Sequence, residues 1–303
     1  MHTNASRSSA GGPALPVVAG IDGSPAAVRA AVWAGGEALA RGVPLRLIQV
    51  VAEIDKPAFQ PGGLRYREAE ESLERARRAV LTELPRGDGP ERLGIDVLVV
   101  RGQPEHVLVH QSRSASLLAL GCSGAGFLSQ LVLGSTALAV TRAAACPVVL
   151  VRKPRAEHGS VLVIVDDWNT APAALRAGFE AASTRGGEVT VARIWHGRSW
   201  SAGPAWNPPA AVVSDAQIEH CLRAFPDIAV RPVTIVGDLV SAVETFATTA
   251  RLVVVAHDSE PGHPDRLGPV TQDLVRYAPC PVLVVPDRPS AAATAEDTRT
   301  VAR

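Results

Sequence analysis

Short apolar runs alternate with stretches of helical periodicity from about residue 16 to residue 286. In the first half the runs predict strands near 16–21, 44–51, 95–101, 117–121 and 147–152. The stretches between them predict helices near 25–41, 65–84, 104–114 and 135–145. The run from Val161 to Val165 holds no polar residue, as expected of a parallel strand covered on both faces. Strands of this kind, alternating with helices, predict an α/β fold built on doubly wound parallel sheet. One helix shows its two faces plainly. Leu73, Ala76, Val80 and Leu84 recur at helical spacing, while Glu71–Arg75 and Glu74–Arg78 stand four apart on the solvent side.

The pattern then repeats. Val17-Val18-Ala19-Gly20-Ile21-Asp22 has its counterpart in Val161-Leu162-Val163-Ile164-Val165-Asp166, and each run leads to a helix with a proline near its start, Pro25 and Pro172. Val99-Val100-Arg101-Gly102 answers to Ile235-Val236-Gly237, and Leu117 to Gly121 answers to Leu252 to Ala256. Cys146-Pro147-Val148 answers to Cys280-Pro281-Val282. Landmarks that keep their order are the signature of a tandem duplication. The second half predicts strands near 160–166, 188–195, 228–236, 251–256 and 281–286. The expected organisation is a tail at 1–14, a first domain at 15–153, a second at 160–286 and a tail at 287–303, both tails disordered.

Composition narrows the function classes. The chain has 303 residues, enough for two domains, and its formal net charge is zero. A neutral chain argues against a nucleic-acid or anionic-membrane surface, since those lean on clustered Lys and Arg. The N-terminus lacks the pattern of a signal peptide and no run of 18 apolar residues occurs, so no membrane span and a cytoplasmic location are expected. The four cysteines form no CxxC pair and no cluster with zinc spacing. Cys146 and Cys280 read as small buried residues at strand mouths. Cys122 lies inside a glycine loop, where redox sensing is the alternative to plain packing.

That loop carries the most chemistry. Gly121-Cys122-Ser123-Gly124, nine residues, then Gly134-Ser135 follow an apolar run and lead into a helical stretch. Glycines let the main chain approach an anion, and a helix start adds free N–H groups and the positive end of its dipole. The only lysines are Lys56 and Lys153, so no Walker A lysine stands in the loop, and GxGxxG is absent. Phosphates would be held by N–H groups of Gly124, Gly134, Ser135 and Thr136, with the Ser135 hydroxyl as a further donor. Each such charge-assisted bond contributes roughly 1.5–3 kcal/mol. Asp22 closes the first strand. It reads either as part of a turn in which Ser24 caps a helix opened by Pro25, or as an acceptor for a ribose hydroxyl or an adenine amino group. In a doubly wound sheet ligands lie at the carboxyl ends of the strands, where strand order reverses, and that would place Asp22 and the glycine loop on one crevice.

On these residues the chain resembles the universal stress protein family in its tandem form, over about residues 15 to 286. The family motif G-x2-G-x9-G-(S/T) is met in full by Gly121, Gly124, Gly134 and Ser135, and its Asp-Gly-Ser strand end by Asp22-Gly23-Ser24. The resemblance implies two five-stranded parallel sheets of order 3-2-1-4-5. It implies ATP as ligand, with or without Mg2+. Asp22 would contact the adenosine, Gly20 and Val50 would line the base, and Gly102 would lie nearby. It also implies a regulatory role in the stress response with an unidentified protein partner, and pairing through the last, apolar strands. That pairing would join the tandem halves internally, with a homodimer of chains as a further expectation.

The second copy departs from the motif. Ala256 and Ser259 replace the first two glycines, the gap to Gly268 is eight residues, and Pro269 replaces the serine, removing an N–H and a hydroxyl. Asp167 adds charge beside Asp166. No ATP is expected there. His257, Asp258, His263 and Asp265 read as a solvated polar loop, with a metal site as the alternative. Trp195, Trp200 and Trp206 lie in a Pro- and Gly-rich stretch that either folds over its own domain or forms a partner patch. No general base, nucleophile or metal motif stands beside the phosphate loop, so slow hydrolysis at most is expected. Two other functions remain open: a scaffold that binds no nucleotide, and an enzyme of the adenine-nucleotide hydrolase-like superfamily. Against the enzyme, the first-strand loop is Asp22-Gly23-Ser24-Pro25 and not Ser-Gly-Gly.

Overall fold

The structure, a computed structural model, describes residues 14–54, 56–84, 93–122, 134–152, 159–166, 170–195, 215–236, 246–257, 259–260 and 263–286. Each copy forms a five-stranded parallel sheet. In the first, β1 (Val17–Ile21), β2 (Leu45–Val51), β3 (Ile95–Arg101), β4 (Leu117–Gly121) and β5 (Val148–Val151) stand in the order β3-β2-β1-β4-β5. The second holds β6 (Ser160–Val165), β7 (Val189–Trp195), β8 (Val230–Val236), β9 (Ala250–Ala256), a hairpin of β10 (Ser259–Glu260) and β11 (His263–Leu267), and β12 (Val282–Val285). Its sheet order is β8-β7-β6-β9-β12, the same 3-2-1-4-5.

The two sheets are one. β5 and β12, the last strand of each copy, pair antiparallel through Val282↔Leu150, Leu283↔Val149 and Val284↔Val148, giving ten strands without a break. All eight residues of these strands are buried. The expected internal pairing of the last strands is realised.

Helices cover both faces. They are α1 (Pro25–Arg41), α2 (Leu64–Glu83), α3 (Pro104–Ser112), α4 (Ser135–Ala143), α5 (Ala171–Arg185), α6 (Asp215–Ala224) and α7 (Pro269–Tyr277). One core, including Ala30, Val80, Phe179 and Cys221, lies under α1, α2, α5 and α6, and the other, including Leu108, Val140 and Leu274, lies under α3, α4 and α7. Each core draws residues from both copies. Among the described residues no helix is long and apolar enough to cross a membrane.

Local chemistry sets the helix ends. Ser24 Oγ accepts from Ala27 N–H at 3.2 Å and Pro25 opens α1, as the turn reading expected. Gly42, at φ +65°, closes it. The buried stripe Ala27, Ala30, Ala31, Ala34 and Ala38 lets α1 lie close on the sheet. Two helices end earlier than the periodicity suggests. α3 stops at Ser112, where Arg113 and Ser114 turn back onto His110 and Gln111. α4 stops at Ala143 because Ala144 is already extended as the chain approaches Pro147. On α2, Leu73, Ala76 and Val80 are buried as expected, and Arg78 pairs with Glu74 at 3.8 Å. Arg75 instead donates to Ser72 Oγ at 3.0 Å.

A buried ion cluster joins the copies across α1 and α5. Glu37, 2% exposed, accepts from Arg41 Nε at 2.6 Å and pairs with Arg185 of the second copy. Arg185 stacks on the Trp33 ring at 4.6 Å, and its carbonyl accepts from Arg251 at 2.8 Å. Burial pulls the Arg185 guanidinium below its usual range, and the Glu37 carboxylate opposes that. Removing one member of such a pair strands the other charge. Glu37→Ala should therefore destabilise the chain by about 3 kcal/mol, read as a lower urea midpoint by tryptophan fluorescence. Glu37→Ala combined with Arg185→Met should cost less than Glu37→Ala alone. An unchanged midpoint for Glu37→Ala would mean the cluster contributes nothing.

Candidate functional site

In the first copy, the chain order reverses between β1 and β4, and a crevice of about 500 Å³ opens there at the carboxyl ends of the strands. That volume suits a small organic ligand. Of the residues singled out from the sequence, Gly20, Asp22, Val50, Gly121, Gly134, Ser135 and Thr136 all line it. Gly124 lies outside the described residues. Gly102 is not part of the wall. It turns β3 into α3 with φ +147°, its N–H donates to Val51 O at 3.0 Å, and Pro104, two residues on, reaches the crevice instead.

The turn reading of Asp22 is met by its geometry. Ser24 N–H donates to Asp22 Oδ1 at 2.9 Å, so the carboxylate helps form the turn. The same bond holds an exposed carboxylate at the rim of the crevice. Opposite it is the start of α4. Gly134 is the N-cap, no side chain caps the first turn, and no acidic residue stands in it. The first N–H groups of α4 therefore face the crevice with the positive end of the helix dipole and no partner from a capping side chain.

The glycines do different work. A Cβ at Gly121 would strike the backbone of Ala26 and Ala27, so this glycine lets α1 lie against the end of β4. A Cβ at Gly134 would meet nothing of the protein within 4 Å. At Gly20 it would come within 2.7 Å of Leu120 Cδ2, a movable side-chain end.

Sequence reasoning missed the apolar wall. Ile48, Leu108 and Leu120 line the crevice together with Val50 and Pro104. These surfaces suit the flat face of an aromatic ring. Ile48 and Val50 share a strand face by alternation, but that this face meets α3 depends on the fold.

In the second copy the matching place is nearly filled by the described residues. Only about 10 Å³ remains between Asp166, Thr170, Ala256, Val270 and Thr271, room for scarcely one water. Ala256 puts a methyl where the first copy has Gly121. Thr271, fully buried, donates its hydroxyl to Ala256 O at 3.1 Å and ties α7 down onto the end of β9. Its counterpart in the first copy, three residues after the capping glycine, is Ala137. The polar loop after β9 includes the hairpin β10–β11, and Asp258 with the side chains of His263 and Asp265 lies outside the described residues, as do Trp200 and Trp206.

Cys122 is 3% exposed. Burial raises its thiol above the usual range, against the opposing Arg152 guanidinium. That is the setting of an inert thiol and not of a sensor. Cys146 and Cys280 are pushed up to about 12 by burial.

The model of the universal stress protein family matches this chain twice, at residues 15–152 and 158–286. The chain belongs to the universal stress protein family. Universal stress protein Rv2028c of Mycobacterium tuberculosis is 27% identical over 271 residues, covering 89% of this chain and 95% of the relative. Universal stress protein Rv2623 of the same organism is 28% identical over 300 residues, covering 91% and 98%. The crystal structure of a universal stress protein from Archaeoglobus fulgidus superimposes with a TM-score of 0.69 at 16% identity, covering 90% of this chain and 98% of the other. That structure bears on the fold alone.

The contrast between the glycines is testable. Gly121→Ala should cost about 2 kcal/mol or more through overpacking. Gly134→Ala should cost less than about 1 kcal/mol. Thermal melts of the two variants separate a packing glycine from one whose space the protein leaves open. Equal losses would contradict the distinction.

Proposed function

We propose that this universal stress protein is a regulatory protein of the stress response that binds one adenine nucleotide, ATP, per chain. The single observation that carries this reading is the contrast between the copies: a 500 Å³ crevice with an uncapped helix start in one, and a 10 Å³ remnant in the other. In the first, the apolar wall of Ile48, Val50 and Leu108 takes the base and Asp22 takes the ribose. Backbone N–H groups at Gly124, Gly134, Ser135 and Thr136 take the phosphates, with Mg2+ as a counter-ion when one accompanies them. The second copy serves as a structural partner. Nucleotide occupancy then changes the affinity for a protein partner in the cytoplasm.

The experiment is to purify the protein without added nucleotide, denature it and run the supernatant on anion-exchange chromatography. About one equivalent of ATP per chain is expected, from the one open crevice found among the described residues. Asp22→Ala and Gly124→Ala should each lower ATP affinity at least about tenfold, the loss of one to two charge-assisted bonds. Asp166→Ala in the closed copy should leave it unchanged. Two equivalents would show that the second copy opens. No nucleotide, and no uptake on adding ATP, would overturn this reading in favour of a nucleotide-free scaffold.

A further inference from the structure

Arg152 follows β5 and sits directly behind the glycine motif. The β4–β5 register ends at Gly121↔Val151, and Cys122 N–H donates to Val151 O at 3.0 Å. One further step of the ladder sets Cys122 beside Arg152. On the other side, the β5–β12 register, Val282↔Leu150, carried two residues on sets Cys280 across from it. Arg152 is thus the middle of a row that begins next to the crevice and ends in the second copy.

The side chain is 5% exposed. Its guanidinium donates to Ala278 O at 2.5 Å and to Val275 O, at the carboxyl end of α7. Its Nε has no partner. Every one of these partners is formally neutral. Among the described residues Arg152 forms no ion pair, and the loop 123–133 contains no Asp or Glu that could supply one.

A buried guanidinium is costly unless its charge is met. The carboxyl end of α7 offers about half a negative charge. Among the described residues the rest is unmatched, beside Cys122 and one residue from Gly121 in the crevice wall. An anion at the start of α4 would complete the balance; a neutral ligand would not.

We propose that Arg152 is a positioning residue for the phosphate end of the ligand. Beside Cys122 it keeps a partly neutralised positive charge behind the end of β4, so the first copy prefers phosphorylated nucleosides to neutral ones. The same guanidinium grips α7, so the second copy, closed to nucleotide itself, supports the phosphate subsite of the first. This rests on the adenine-nucleotide reading above.

The test is calorimetric titration of ATP and of adenosine into the full chain, as wild type, Arg152→Met and Arg152→Lys. Wild type should bind ATP more tightly than adenosine. Arg152→Met should weaken ATP about tenfold, the scale of losing one nearby charge, and adenosine less than about twofold. Arg152→Lys should recover part of the ATP affinity. Equal losses for both ligands would reduce Arg152 to a structural residue and overturn the proposal, as would unchanged ATP binding. Should Arg152→Met fail to fold by circular dichroism, Arg152→Lys carries the test. Its compact ammonium keeps the charge but not the fork, so the ATP-to-adenosine preference should drop about threefold, and an unchanged preference overturns the proposal. A wild type that binds neither ligand would sink the nucleotide reading itself.

Discussion

The antiparallel ladder between β5 and β12 is the contact on which the rest of the architecture depends. Each copy ends in a four-residue strand, Val148–Val151 or Val282–Val285, without a polar side chain. Left alone, each would be an exposed apolar sheet edge, the kind of surface that recruits other chains. Paired with each other, they cover both edges and align two helix layers into two continuous cores. The edges that remain are β3 and β8. β8 exposes Arg231, Pro232 and Thr234, features that discourage strand addition. The strands that would have served a homodimer of this kind are therefore already used within one chain.

This pairing relates the copies by an approximate two-fold axis, yet the seams that reinforce it are not symmetric. On one face, Glu37 of α1 reaches Arg185 of α5, and the residue matching Glu37, four before the end of α5, is Ala181. On the other, Arg152 reaches the end of α7, and the residue matching Arg152 is Pro286. Each seam needs a charged group from one copy and a receptor from the other. The copies have diverged at both seams, and the second copy is also the one in which only about 10 Å³ remains at the crevice position.

Most of this fold was legible from hydrophobic runs because a parallel strand buried on both faces leaves little ambiguity. Observed strand bounds lie within a residue or two of the expected ones. Helix ends were less legible. α3 and α4 stop where a local turn and an approaching proline win over apolar periodicity, and periodicity does not encode either. The Glu71–Arg75 pair gives way to Ser72, one helical turn before Arg75, whose hydroxyl accepts from its guanidinium. Within the crevice, the polar and glycine positions were readable as a motif. The apolar wall was not, because Ile48, Leu108 and Leu120 come from three elements whose meeting is a property of the sheet order. Arg152 read only as the end of a strand, since its importance comes from residues more than a hundred positions away.

The glycine motif illustrates why spacing and geometry are both needed. As a string, G-x2-G-x9-G-S treats its glycines as equivalent. In space they divide. Gly121 is demanded by the protein's own packing, because α1 leaves no room for a Cβ. Gly134 is not demanded by any protein atom, has an ordinary φ of −59°, and opens a helix that no side chain caps. The second copy retains Gly268 at the start of α7, yet only about 10 Å³ remains there, where Ala256 replaces the packing glycine and Thr271 ties α7 to the end of β9. A copy can thus keep the glycine that would face a ligand and still lose the space for it. The position that the protein's own packing fixes is the one where α1 meets β4.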